Sequence, residues 1–179
     1  MKILIVSDIH GSLDAAHRIV ALAASYDMVF CLGDVLYHGP RNDLPRSYAP
    51  KSVIPLMNSL SDRILAVRGN CEAEVDQMVL SFPVMSTTAM AMIDGRRMVL
   101  SHGHIFNEDS LPPAADIFLY GHTHIPVAHM KDGVICFNPG SAGIPKGGFP
   151  ASYGEYVDGV LNVRSLEEDE VLMSIGIRS

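Results

Sequence analysis

Basic residues are the scarcer charge in this chain: 13 Lys and Arg stand against 20 Asp and Glu, a formal net charge of −7. That balance excludes the broad cationic footprint with which proteins hold the phosphates of DNA or RNA. Cysteine is scarcer still. Cys31, Cys71 and Cys136 are odd in number, widely spaced and form no C-x-x-C pair, which excludes a disulfide framework and a structural zinc knuckle and leaves reduced thiols as the expectation. Long apolar runs are missing too. Those present hold about four to seven residues between Gly, Asp or Pro, far short of the roughly 20 that span a bilayer. The segment Met1–Asp8 has one basic residue and too short an apolar stretch for a signal-peptide core, so a cytoplasmic location is expected. What is abundant is apolar: 48% hydrophobic against 18% charged residues over 179 positions implies a large core in a single domain covering 1–179.

The apolar runs alternate with helical patterns in the first half. Lys2 to Ser7 reads as a strand, Ser12 as the cap of a helix with Leu13, Ala16, Val20 and Ala23 on its apolar side, and Met28 to Leu32 as a second buried strand. A Gly/Pro-rich stretch from Val35 to Pro50 precedes a helix carrying Val53, Leu56, Met57 and Leu60; Ile64 to Val67 is a third strand, and Glu72 to Leu80 a short helix. Such alternation suggests a parallel sheet with right-handed crossovers. From about Val84 hairpins take over. Thr88–Ile93 and Arg96–Leu100 flank Asp94-Gly95, a type I′ turn signal; Ile117 to Tyr120, Pro126 to Met130, Val134 to Phe137 and a closing antiparallel series from Ser152 to Ile177 follow. The expectation is one α/β domain of two largely β layers with helices outside, parallel first and antiparallel later. The acidic run Glu167–Glu170 reads as a solvated bend.

Chemistry concentrates where these strands end. Asp8-Ile9-His10, Gly33-Asp34, Gly69-Asn70, Ser101-His102-Gly103-His104 and Gly121-His122-Thr123-His124 each follow an apolar run. One Asp in such a place serves as a helix cap and one His as a satisfied imidazole, but five clusters of Asp, Asn and His delivered to one rim are what a pair of divalent cations requires, and this donor set suits Mn, Fe, Zn, Co or Ni. Residues two apart in extended chain point the same way, so Asp8 with His10 and His122 with His124 each offer two donors to one small volume. The pattern is that of a metallohydrolase.

These residues resemble a known family. The succession D-x-H, G-D, G-N-[HC]-[DE], G-H and G-H-x-H is that of the calcineurin-like metallophosphoesterases, matched in order over nearly the whole chain. Leu36–Asn42, Arg68–Glu72 and Asn138–Ser141 are closer still to the small bacterial and archaeal YfcE-type phosphodiesterases. The resemblance implies an α/β four-layer αββα sandwich of two mixed sheets flanked by helices. It implies two divalent metal ions, first of all Mn: Asp8, His10 and His124 around one, Asn70, His102 and His122 around the other, and the Asp34 carboxylate bridging both. It also implies metal-dependent hydrolysis of a small phosphodiester by a hydroxide held between the ions, catalysis being mostly positioning and electrostatics.

Cys71 stands where many members of the superfamily carry a His that contacts phosphate or protonates the leaving oxygen. A thiol does both less well than an imidazolium, so good leaving groups, and diesters with their single negative charge, are the expected substrates; a phosphomonoesterase of the same mechanism is the alternative. His104 faces either the phosphate or solvent. His38 and Arg41 on the long loop after Asp34, with Arg46 beyond them, are candidate substrate contacts that complete the pocket, Arg pairing with phosphate oxygens if the loop is more than a solvated connection. Asn138 and Ser141 read as an Asn-Pro-Gly turn, with orientation of the His122/His124 loop as the other reading. Cys31 and Cys136 read as small core residues, and His17 and His129 as structural or exposed. Two other classes compete: a non-catalytic interaction scaffold on the same fold, like the retromer subunit that has altered metal-site residues, and a cysteine hydrolase using Cys71 with a nearby His. Hairpin edges leave a homo-oligomer open.

Overall fold

The computed structural model describes residues 1–177. In chain order the elements are β1 (Lys2–Val6), α1 (Leu13–Ala23), β2 (Met28–Cys31), α2 (Pro50–Asn58), β3 (Ile64–Ala66), α3 (Glu74–Val79), β4 (Thr88–Ile93), β5 (Arg96–Ser101), β6 (Ile117–Leu119), β7 (Val127–Lys131), β8 (Val134–Asn138), β9 (Ser152–Val157), β10 (Val160–Ser165) and β11 (Val171–Gly176). They form a six-stranded sheet, β11-β10-β9-β1-β2-β3, and a five-stranded sheet, β4-β5-β6-β8-β7. The first joins a parallel half, β1-β2-β3, to an antiparallel half through the β1–β9 pair. The second is mixed as well, since β6 runs parallel to both β5 and β8. A strict change from parallel to antiparallel along the chain is therefore not observed, because β6 pairs with strands to which no tight turn connects it.

Burial on both faces explains why the central strands are unbroken apolar runs. Ile3, Ile5, Phe30 and Leu32 meet Leu100, Ile117, Leu119 and Phe137 in the core between the sheets. Leu4, Val6, Val29 and Cys31 point the other way, under α1 and α2. Helix α1 begins at Ser12, whose Oγ accepts the Ala15 N–H, and buries Ala15, Ala16, Ile19 and Ala23. That face is turned slightly from the one expected, with Leu13 and Val20 only partly buried. The outer face of the five-stranded sheet is covered not by a helix but by the irregular segment 102–116, whose Phe106 and Leu111 pack on Phe118, Tyr120 and Cys136. The hairpins close as their sequences demand: Asp94-Gly95, Asp132-Gly133 and Asp158-Gly159 all take positive φ, the type I′ geometry.

Candidate metal centre

The C-terminal ends of β1, β2, β3, β5 and β6 open on one rim. Backbone pairing continues beyond the strands and sets the ligand-bearing turns side by side: the Asp8 N–H donates to Gly33 O (3.1 Å), His10 N–H to Asp34 O (2.9 Å) and Gly121 N–H to His102 O (2.7 Å). Asp8, His10, Asp34, His122 and His124 all have φ between 51° and 67°. Each such non-glycine residue costs of order 1–3 kcal/mol, and clusters of them mark functional sites. Two glycines allow the close approach. A Cβ on Gly69 would lie 2.0 Å from Asp34 Oδ1, and one on Gly121 would lie 1.9 Å from Ser7 Oγ.

Three imidazoles are anchored alike. The Nδ1–H of His10 donates to Tyr37 O (2.6 Å), that of His102 to Leu32 O (2.7 Å) and that of His124 to Ile144 O (2.5 Å). In the neutral ring this commits Nε2 to carry the lone pair, as metal-binding histidines do. All three Nε2 atoms point at the same carboxylates. Asp8 Oδ1 lies 3.3 Å from His124, 3.4 Å from His10 and 3.9 Å from His102; Asp34 Oδ2 lies 3.3 Å from His102 and 3.7 Å from His10. Yet Asp8 Oδ1 is fully buried without a hydrogen-bond partner, a costly state unless a cation completes it. His10 and His124 also bring Nε2 to Nε2 at 3.3 Å, and Asn70 Oδ1 sits 3.1 Å from His102 Nε2. Acceptors facing each other at such distances call for a cation between them, so the donor set fits metal ions. Asp8-His10-His124 and Asp8-Asp34-His102 are each compact enough to share an ion.

The electrostatics agree. Burial opposes the ionisation of Asp8, but His102, His10 and His124 outweigh it and hold the carboxyl well below its ordinary value. Burial of His102 is likewise overcome by Asp8 and then Asp34, which push it up to about 9. Without metal, the protonated His102 imidazole offsets the charge of the two ionised carboxylates. Partial burial and then His102 hold His122 below its usual value, so its imidazole is neutral and ready to ligate.

A cavity of about 310 Å³ opens over these residues, lined among others by Asp34, Arg41, Asn42, Asn70, Cys71, His122, His124 and Lys146. Cys71 is half-buried; burial and then the neighbouring Asp34 push its thiol far above the usual range, which argues against a thiolate nucleophile. His38 is not among the lining residues: its ring sits edge-on between Tyr37 (4.7 Å) and Tyr48 (5.2 Å). His104 lines an adjoining depression, together with Glu108 and His122. Arg46 is exposed on the long loop.

Of the residues that hold this arrangement, the roles of Glu72, Ser7 and Lys146 escaped the sequence reading, whereas those of Asn138 and Ser141 did not. Glu72, only 4% exposed, accepts N–H groups from Asp34 (2.9 Å), Val35 (2.7 Å) and Gly69 (2.5 Å), tying the Gly33-Asp34 turn to the Gly69-Asn70 turn. Burial and then Asp34 push its carboxyl up to about 7. Its signal was the last position of G-N-[HC]-[DE]. Ser7 Oγ donates to Asp8 Oδ2 (2.7 Å), which also accepts the His122 N–H (2.9 Å). Asn138 and Ser141 orient the rim as well as making a turn. The Asn138 amide donates to Gly121 O (2.8 Å) and Thr123 Oγ1 (3.1 Å), and Ser141 Oγ donates to Asp8 O (2.8 Å). Lys146 reaches the cavity because its N–H bonds His124 O (3.2 Å), a pairing invisible in sequence.

Comparison with known proteins gives the family of the chain. Residues 1–156 match the model of the calcineurin-like phosphoesterase superfamily domain. The chain is 45% identical over 181 residues to phosphodiesterase YfcE of Escherichia coli strain K12, covering 99% of this chain and 98% of that one. The structure of YfcE, a phosphoesterase from E. coli, superposes with a TM-score of 0.97 at 44% identity, over 99% of this chain and 100% of the other. Vacuolar protein sorting 29 of Cryptosporidium parvum shares the fold alone, at a TM-score of 0.65 and 18% identity over 98% and 97% of the two chains. The chain belongs to the calcineurin-like phosphoesterase superfamily.

Proposed function

We propose that this protein is a metal-dependent phosphodiesterase acting on small phosphodiesters in the cytoplasm. The observation that carries the reading is the convergence of three tautomer-fixed imidazoles on buried carboxylates, one of whose oxygens lacks any partner. Asp8, His10 and His124 would hold one divalent cation and Asn70, His102 and His122 a second, with Asp34 contributing to both. When bound, two such ions, Mn or another first-row metal, would supply Lewis acidity that lowers the pKa of solvent water toward neutrality and offsets phosphate charge.

The chain's own residues do the rest. Arg41 and Lys146 at the cavity mouth pair with non-bridging phosphate oxygens, giving local positive charge to a protein that is acidic overall. Asn42 and Asn70 orient the ester. His104, on the adjoining depression, contacts the departing group of a longer substrate. Cys71 puts a neutral thiol beside the phosphate, which favours the singly charged diester, in keeping with the name of the 45% identical relative. His38 acts through the loop, its carbonyl holding the Asn42 amide (2.8 Å). The scaffold reading draws only on a shared fold, while every expected ligand is present here.

The test is hydrolysis of an activated aryl phosphodiester by protein stripped of metal and reconstituted with Mn. Activity that appears with Mn and vanishes with chelator is expected. Inactivity with each of Mn, Fe, Zn, Co and Ni, or activity that survives chelation, overturns the reading.

A further inference from the structure

Beyond the depression that Glu108 shares with His104 and His122, the outer face of the five-stranded sheet brings together three side chains of different chemistry. His129 on β7 and Cys136 on β8 are direct antiparallel partners, so both side chains stand on one face. Phe118 pairs with Cys136 on the same face, and the covering segment 102–116 brings Glu108 down beside them. His129 Nε2 lies 2.9 Å from Glu108 Oε2, and the donor atoms of Glu108, His129 and Cys136 all fall within 4.8 Å of one another. The Tyr120 hydroxyl donates to Glu108 Oε1, leaving Oε2 turned toward the imidazole. Cys136 is 0% exposed, while the His129 side chain is 49% exposed.

We propose that Cys136, His129 and Glu108 form a zinc site with three protein ligands and one open coordination position facing solvent. Thiolate, imidazole and carboxylate are the donors Zn²⁺ takes, and soft sulfur selects it over Mn or Mg. Tetrahedral bonds of ordinary length set N and O about 3.4 Å apart and S about 3.6 Å from N. To admit the ion the His129–Glu108 pair widens by about 0.5 Å and the sulfur, within 4.8 Å of both partners, closes by at most about 1.2 Å. Two negative ligands offset the charge of the cation, and the proton displaced from the Cys136 thiol passes to solvent. Burial and then Glu108 raise that thiol to about 11; a cation between the two reverses both influences. Tyr120 is the positioning residue, holding the carboxylate as outer partners hold metal ligands. The site pins the segment 102–116 to the sheet. It shares no ligand with the catalytic rim and does not depend on the function proposed for that rim.

Co²⁺ is the probe. Added to the Mn-loaded protein, it should give a sulfur-to-cobalt charge-transfer absorption in the near ultraviolet that Zn²⁺ displaces. The band should vanish in Cys136→Ser, fall at least tenfold in apparent affinity in His129→Gln, weaken about tenfold in Tyr120→Phe and persist in Cys71→Ser. Since Cys136 is fully buried and its variant risks misfolding, His129→Gln, at an exposed position, carries the decision on its own. Absence of the band overturns the proposal. So does a band lost in Cys71→Ser but kept in Cys136→Ser, or one unchanged in His129→Gln.

Discussion

Removing the Glu72 side chain asks how much of the rim depends on one buried carboxylate. It accepts three backbone N–H groups, and bonds to a charged group contribute about 1.5–3 kcal/mol each, so Glu72→Ala strands donors worth about 4–9 kcal/mol. Against this, the fold no longer buries a charge beside Asp34. Raising the carboxyl from 4.5 to about 7 corresponds to about 3 kcal/mol against the ionised form. The net loss is about 1–6 kcal/mol, centred near 3, a large share of the 5–15 kcal/mol typical of whole domains. In a domain of this size it lowers Tm by about 6–12 °C. Thermal and urea denaturation of metal-free protein measure the loss. Because the same bonds hold Asp34 and the Gly69-Asn70 turn, Mn affinity, followed by titration calorimetry, should fall about 10–100-fold. Glu72→Gln, which keeps one acceptor oxygen, should fall between. A Glu72→Ala protein that melts within about 2 °C of the parent and binds Mn as tightly would show that the carboxylate does not organise these turns.

Asp34→Asn keeps the shape of the side chain and removes its charge, and should lower kcat/KM for an aryl diester by about 10³-fold or more. Cys71→Ala should cost far less, and the opposite order in steady-state kinetics would restore the cysteine-hydrolase reading. Cys71→His should raise monoester hydrolysis relative to diester by supplying a cation and proton donor; an unchanged ratio would mean that selectivity arises elsewhere. His102 is raised to about 9 in the metal-free fold, so between pH 6.5 and 9 the native state binds more protons than the unfolded one. The His102 contribution to metal-free stability is therefore full below pH 6.5 and is lost, by about 3 kcal/mol, as pH climbs through 9, and Mn should flatten that decline. Urea midpoints that stay level or rise over this range without metal would contradict the assignment.

The convergence of the candidate ligands was more legible than the framework around them. Short apolar runs ending in Asp, Asn or His give away both the strands and the rim, since a parallel strand delivers its last residues to the same edge as its neighbours. Local turn chemistry was legible for the same reason: Asp94-Gly95 needs two positive φ values and takes them. What required the fold were relations between distant segments. The parallel pairing of β6 with β5 and β8 has no local signature. Neither has the approach of Lys146 to His124. Glu72 carried a motif signal, the last position of G-N-[HC]-[DE], but not its role, since an acid at the start of a helical pattern resembles any first-turn acid. His38 illustrates the converse: its place after Asp34 suggested phosphate contact, but Tyr37 and Tyr48 flank it in space. Asp169, in the acidic run expected to be mere solvated bend, accepts bonds from Tyr153 and Arg164 and pins the last hairpin.

Anomalous diffraction from Mn-loaded crystals addresses the central claim most directly. Two peaks about 3.5–4 Å apart are expected, one against Asp8, His10 and His124, the other against Asn70, His102 and His122, with the Asp34 carboxylate touching both. A single peak, no peak, or Mn seated away from these side chains would contradict it.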